Sequence, residues 1–159
     1  MKKEEIIEKL RRAKNSDLQW IEKAKSIIKG NKNDIAIMPI DTIHSEFGKW
    51  FYSEGEQLKK LSNNPLECMK NIELLHQEFH KCYFDIYHIY YNESKKAKFF
   101  SKLMGAKRAE VTEREYNEAM SILEKMKEYA KAFVSEVERL ERRLDAVTQE
   151  KIDSILEKQ

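Results

Sequence analysis

His76 and His80 stand four residues apart in a stretch whose apolar residues Met69, Ile72, Leu75, Phe79, Tyr83, Ile86 and Tyr90 recur at helical spacing. Residues i and i+4 of a helix lie on adjacent turns of one face, so the two imidazoles can present ring nitrogens to one point. The stripe runs Ile72, His76, Phe79 with His80, then Tyr83, which turns that face inward. Imidazole nitrogen is a good donor to zinc and other transition metals. Taken alone, such a pair reads as two packed histidines, because a neutral imidazole needs only one partner per ring nitrogen.

A third residue changes that reading. Near the N-terminus Leu10, Ala13, Trp20 with Ile21, Ala24 and Ile28 form another inward stripe, and the position between Ala13 and Trp20 in the same register is Asp17. An ionised carboxylate inside a helical core is costly unless a cation or strong donors meet it. Asp17 facing His76 and His80 is explained by a bound metal ion or by a protonated histidine pair, and the sequence leaves both open.

These side chains need helices to position them. A first helix spans Lys3 to Lys29, stopped by Gly30-Asn31. The stretch NKNDIAIMPI reads as a connecting loop whose Ile35, Ile37 and Met38 cover the core, and Asp41 caps a second helix from about Thr42 to Ser53 that ends at Gly55. Pro65 opens a third helix reaching about Phe100, with a turn at Gly105. Thr112 and Glu115 form a capping box, with Val111 and Tyr116 as its staple. The fourth helix then carries Tyr116, Ala119, Leu123, Met126, Ala130, Phe133, Val137, Leu140, Leu144 and Val147 at alternating three- and four-residue spacing, and runs on to near Lys158. The expectation is an all-α, four-helix bundle forming a single domain over residues 1–159, with a long, heptad-patterned C-terminal helix over about 112–158. A helix longer than its neighbours points to a homodimer; otherwise the seam faces its own bundle and frays after Val147.

Composition agrees. Four glycines and two prolines in 159 residues, with 36% charged residues, fit a helix-rich chain. Thirty basic residues nearly balance 28 acidic ones, which argues against nucleic acid and anionic membrane as partners. The opening MKKEEIIEKL lacks the apolar run of a signal peptide and no stretch is long enough to span a bilayer, so a cytoplasmic protein is expected. Cys68 and Cys82, fourteen residues apart in one helical pattern, would be roughly 20 Å apart and unable to pair; both read as small packing residues. Lys95, Lys96, Lys98, Lys102, Lys107 and Arg108 around Phe99, Phe100 and Met104 read as a solvated face whose aromatics pack back on the core.

Three segments together resemble the chemoreceptor zinc-binding family: Asp17-Leu18-Gln19-Trp20, Ser45-Glu46-Phe47-Gly48-Lys49-Trp50 and His76-Gln77-Glu78-Phe79-His80. The family pattern is His-x-x-Trp, Cys-x-x-Gly-Lys-Trp and His-x-x-x-His on successive helices, and the similarity covers about residues 10–90. The resemblance implies a zinc site in a helical bundle, in domains usually appended to chemoreceptors or diguanylate cyclases, where zinc occupancy or oxidation of the zinc-bound cysteine tunes signalling through a dimer. Two positions depart from the pattern. Asp17 replaces a histidine, and carboxylate oxygen is an acceptable zinc ligand. Ser45 replaces the cysteine; its hydroxyl is hardly ionised at neutral pH, so a water can take that place, and thiolate redox sensing there is ruled out. His44, next in sequence, points about 100° away on a helix and reaches the site only if the helix rotates or frays.

The resulting expectation is a non-catalytic, cytoplasmic, zinc-binding sensory or regulatory domain, with Asp17, His76 and His80 as metal ligands and a signalling protein engaged through the C-terminal helix. The alternative is a metal-free interaction protein whose site has degenerated and whose function lies on the Leu123 to Val147 surface. No nucleophile, oxyanion donor or general base accompanies the ligands, which argues against an enzyme.

Overall fold

The computed structural model describes residues 2–30, 42–61, 66–91 and 110–156. Regular structure there is entirely helical. Helix α1 is Lys3–Lys29. Helix α2, Glu46–Trp50, runs through a π turn at Phe51–Gly55 into the short α3, Glu56–Leu58. Then come α4, Leu66–Tyr91, α5, Glu113–Asp145, and α6, Gln149–Leu156. No described helix is long and apolar enough to cross a membrane.

Local signals account for most of the boundaries. Gly30 takes the left-handed conformation, with φ of 70°, and its N–H reaches back to the Ser26 and Ile27 carbonyls, closing α1. Thr112 accepts from the Glu115 N–H while the Glu115 carboxylate accepts from the Thr112 N–H, the capping box expected at the start of α5.

The second helix starts later than expected. Residues 42–44 form a turn, and Ser45 caps α2 by accepting the Gly48 N–H at 2.9 Å. Gly55 does not end the segment either. It keeps helical dihedrals inside the π turn, where the Ser53 hydroxyl donates back to the Lys49 and Trp50 carbonyls.

The long C-terminal helix is also interrupted. It stops at Asp145 instead of running to near Lys158, and α6 begins where the Thr148 carbonyl accepts the Ile152 N–H. Lys3 holds the break together: its ammonium donates to the Asp145 and Val147 carbonyls, and its N–H donates to the Gln149 side chain at 2.8 Å. The break lets Val147 and Ile152 turn into the core beside Leu58 and Leu61. Burial of those residues replaces the projecting seam.

Helix α1 packs on α2, α4 and α5, and α4 packs on α5. The buried face of α5 comprises Ala119, Leu123, Met126, Ala130, Phe133, Val137, Leu140 and Leu144, following the expected spacing; Tyr116, expected to begin it, is exposed. Buried side chains form two apolar clusters. One gathers Leu10, Ala13, Phe47, Ile72, Phe133 and Leu140 among others; the second gathers Trp20, Ala24, Phe79, Tyr83, Met126 and Ala130. Between them, at the level separating Ala13 from Trp20 and Ile72 from Phe79, lies a polar layer. Asp41, the 31–40 connection, the 92–109 stretch with its basic residues, and the extension of the third helix toward Phe100 lie outside the described residues.

Candidate metal centre

The polar layer consists of Asp17 from α1, Ser45 at the head of α2, and His76 and His80 from α4, none more than 2% exposed. Helical spacing brings the two imidazoles together, 4.6 Å between ring centroids and nearly perpendicular. The Asp17 carboxylate spans both. Oδ1 lies 3.0 Å from His80 Nε2, and Oδ2 lies 3.1 Å from His76 Nε2. The ligand-type atoms of Asp17, His76 and His80 all fall within 4.8 Å of one another.

Aromatic walls fix the rings. Phe47 approaches His76 at 4.9 Å between centroids, Phe133 stacks on it at 5.9 Å, and Trp20 lies 5.6 Å from His80. Water is thereby kept away, which strengthens each electrostatic interaction and raises the penalty for any unmet polar atom.

Ser45 joins the layer with its hydrogen-bonding capacity largely used. Its hydroxyl donates to the Thr42 carbonyl at 3.1 Å and accepts the Gly48 N–H at 2.9 Å, leaving one lone pair facing His76 Nε2 at 3.1 Å. Gly48 makes this turn possible: a Cβ there would lie 1.9 Å from the Thr42 carbonyl oxygen. The glycine in the Ser45-to-Trp50 motif is thus a close-approach glycine.

The electrostatics suit a cation. Burial alone would push the Asp17 carboxyl up, but its close approach to the His76 and His80 ring nitrogens holds it below its ordinary 3.8. Asp17 is therefore a carboxylate in a dry layer. Its Oδ2, although close to His76 Nε2, lies off any directed hydrogen bond, and His80 Nδ1 is likewise buried without a directed partner among the described residues. Two imidazole nitrogens and an unmet carboxylate oxygen converging on one point form a donor set that fits a divalent transition metal.

The sequence-derived residues Asp17, His76 and His80 are all brought together. Ser45 stands beside them as the motif alignment implied, while His44 is exposed in the turn before α2 and outside the cluster. Cys68 and Cys82 are buried elsewhere, one in each apolar cluster, and burial pushes the Cys82 thiol up. The Phe47 and Phe133 walls are not among the sequence-derived site residues; the available signals were the place of Phe47 inside the second motif segment and of Phe133 on the α5 stripe.

The chain matches no protein-family model, no curated protein and no solved structure. Its likeness to the chemoreceptor zinc-binding family therefore rests on the three motif segments alone.

Proposed function

We propose that this chain is a non-catalytic metal-binding sensory or regulatory module in which Asp17, His76 and His80 hold a zinc ion. The observation that carries the reading is the convergence of one carboxylate and two imidazoles in a layer closed to solvent. A set of three N/O donors with a hydroxyl alongside lacks the thiolate that would give the tightest zinc binding, so occupancy would follow metal supply more readily than in a cysteine-containing site.

The reading extends to architecture and setting. Helices α1, α4 and α5 with the α2 to α3 segment are read as a four-helix bundle, the α5 seam being its heptad-patterned member. Homodimerisation through the α5 seam, a cytoplasmic location and a signalling partner engaged through the C-terminal helices are carried over from the sequence pattern, with the family likeness in support. The Ser45 hydroxyl beside His76 is already spent on capping α2, donating to the Thr42 carbonyl and accepting the Gly48 N–H, which favours regulation over catalysis.

Melting curves with zinc and with chelator test the proposal. Metal that binds only the folded state stabilises by RT ln(1 + [L]/Kd), about 2.7 kcal/mol at a hundredfold excess over Kd. Zinc should raise the melting temperature of the parent and leave His76→Ala unmoved; the same shift in both would remove the site from the account.

A second reading has its own observation. Ser45 bonds to His76 and His80 to Asp17, and Asp17 Oδ2 lies 3.1 Å from His76 Nε2, so the four side chains form one connected polar cluster, which is how a metal-free remnant would look. In that case the module acts only through its helix surfaces, and neither zinc nor any other divalent ion alters its stability.

A further inference from the structure

Asp17 offers both of its oxygens to the polar layer. Oδ1 lies 3.0 Å from His80 Nε2 and Oδ2 lies 3.1 Å from His76 Nε2, so the carboxylate straddles the two rings instead of turning a single oxygen toward them. Oδ2 is buried without a hydrogen-bond partner among the described residues, and the whole residue is 1% exposed. A buried carboxylate oxygen that meets no donor is costly, and a cation held by both oxygens would relieve that cost.

Ser45 brings a further oxygen to the same point. Its hydroxyl donates to the Thr42 carbonyl and accepts the Gly48 N–H, which leaves one lone pair, and its Oγ lies 3.1 Å from His76 Nε2. A cation bound through that lone pair would leave the cap of α2 in place. With a hydroxyl here in place of a thiolate, an ion would meet two imidazole nitrogens and oxygen donors only.

The spacing of these donors separates two geometries. Donors bonded at about 2.1 Å to one ion stand about 3.4 Å apart in a tetrahedron and about 3.0 Å apart where they meet at right angles. The nitrogen-to-oxygen separations in the layer are 3.0, 3.1 and 3.1 Å, nearer the right-angled value. Two of those contacts are also hydrogen bonds; the one at Oδ2 is not. Right angles belong to ions with five or six donors, and two imidazoles with one carboxylate form a ligand set that iron(II) takes with positions to spare.

We infer, building on the metal reading above, that Asp17 binds through both oxygens and Ser45 through its hydroxyl, making the layer a five-donor site of two nitrogens and three oxygens in which iron(II) and cobalt(II) compete with zinc. Thiolate is the soft ligand that would favour zinc most strongly, and Ser45 withholds it. The ion carried by the module is then set by which divalent metal is supplied, not by a tetrahedral cage.

Cobalt(II) titrated into the chelator-stripped full chain reads the donor count through its visible d–d bands, which are intense in a tetrahedron and weak with five or six donors. The parent should bind one cobalt(II) per chain with weak bands that zinc abolishes and that His80→Ala does not show, which excludes the exposed His44 and His88 as their source. Ser45→Cys should switch to intense bands with a sulfur-to-cobalt transition in the near ultraviolet. It should also widen the zinc-to-iron(II) affinity ratio, measured anaerobically by competition, by about tenfold or more. Intense tetrahedral bands in the parent, bands that persist in His80→Ala, or a ratio unchanged by Ser45→Cys would overturn the five-donor site even where zinc binds. No saturable binding of either cobalt(II) or zinc would overturn the metal reading along with it.

Discussion

Asp17 and His80, 63 residues apart in sequence, meet at 3.0 Å in a layer closed to solvent. That contact joins α1 to α4 by a charged group placed where packing alone would choose an apolar side chain, so the two helices depend on it. Asp17→Ala should leave both imidazoles without their carboxylate and destabilise the metal-free protein by about 3–5 kcal/mol, the range for breaking a buried charged pair. Asp17→Asn, which keeps shape and acceptor oxygen, should cost less. Urea unfolding in the presence of chelator measures both.

The same carboxylate sets an acid limit. Its folded-state pKa is depressed below 3.8, so its contribution to stability is fully present above that value and is lost as pH falls below it, through the lower folded value. In chelator, the stability difference between parent and Asp17→Asn should hold from neutral pH down to about 4 and narrow below it. A difference that stayed constant to lower pH would show that the carboxylate gains nothing from the two histidines.

Ser45 does two things at once, and its substitutions separate them. Ser45→Ala removes the cap of α2 and the contact to His76, and should cost about 1–2 kcal/mol without metal. Ser45→Cys is a poorer cap but puts a sulfur at the position whose hydroxyl oxygen lies 3.1 Å from His76 Nε2, where it should complete a tetrahedral set with one sulfur, two nitrogens and one oxygen. It should lower stability in chelator modestly and gain more from zinc than the parent does. Equal zinc shifts in the two proteins would mean that residue 45 does not face the ion.

Gly48 tests the turn that delivers Ser45. A methyl group there would collide with the backbone carbonyls of Thr42 and Ile43, at 1.9 and 2.9 Å, and backbone cannot move aside as a side chain can. Gly48→Ala should destabilise by at least about 2 kcal/mol and weaken zinc binding together, read by unfolding and by titration.

The site was largely legible in the sequence because a charge on an apolar stripe is a strong signal: Asp17 interrupts Leu10, Ala13 and Trp20, and His76 and His80 interrupt Ile72, Phe79 and Tyr83. The apolar face of α5 and its capping box were legible for the same local reason. What periodicity did not reveal was where tertiary contacts override it. The α5 pattern carries on to Val147 before Lys151 and Ser154 break it, but the helix already stops at Asp145, where Lys3, distant in sequence, donates to the Asp145 and Val147 carbonyls and lets the chain turn. Tyr116 lies in register yet is exposed, and Gly55, expected to stop a helix, instead accommodates the Trp50 ring in a π turn. The delayed start of α2 follows from Ser45 serving as its cap, a role that a serine at a ligand position conceals.

The most direct test of the metal reading is a calorimetric zinc titration of untagged, chelator-stripped protein, paired with elemental analysis of the protein as purified. One divalent ion should bind per chain, zinc among those that do, with a dissociation constant well below millimolar and with binding lost in both His76→Ala and His80→Ala. No binding tighter than millimolar for any divalent transition metal, or binding that survives both substitutions, would contradict it.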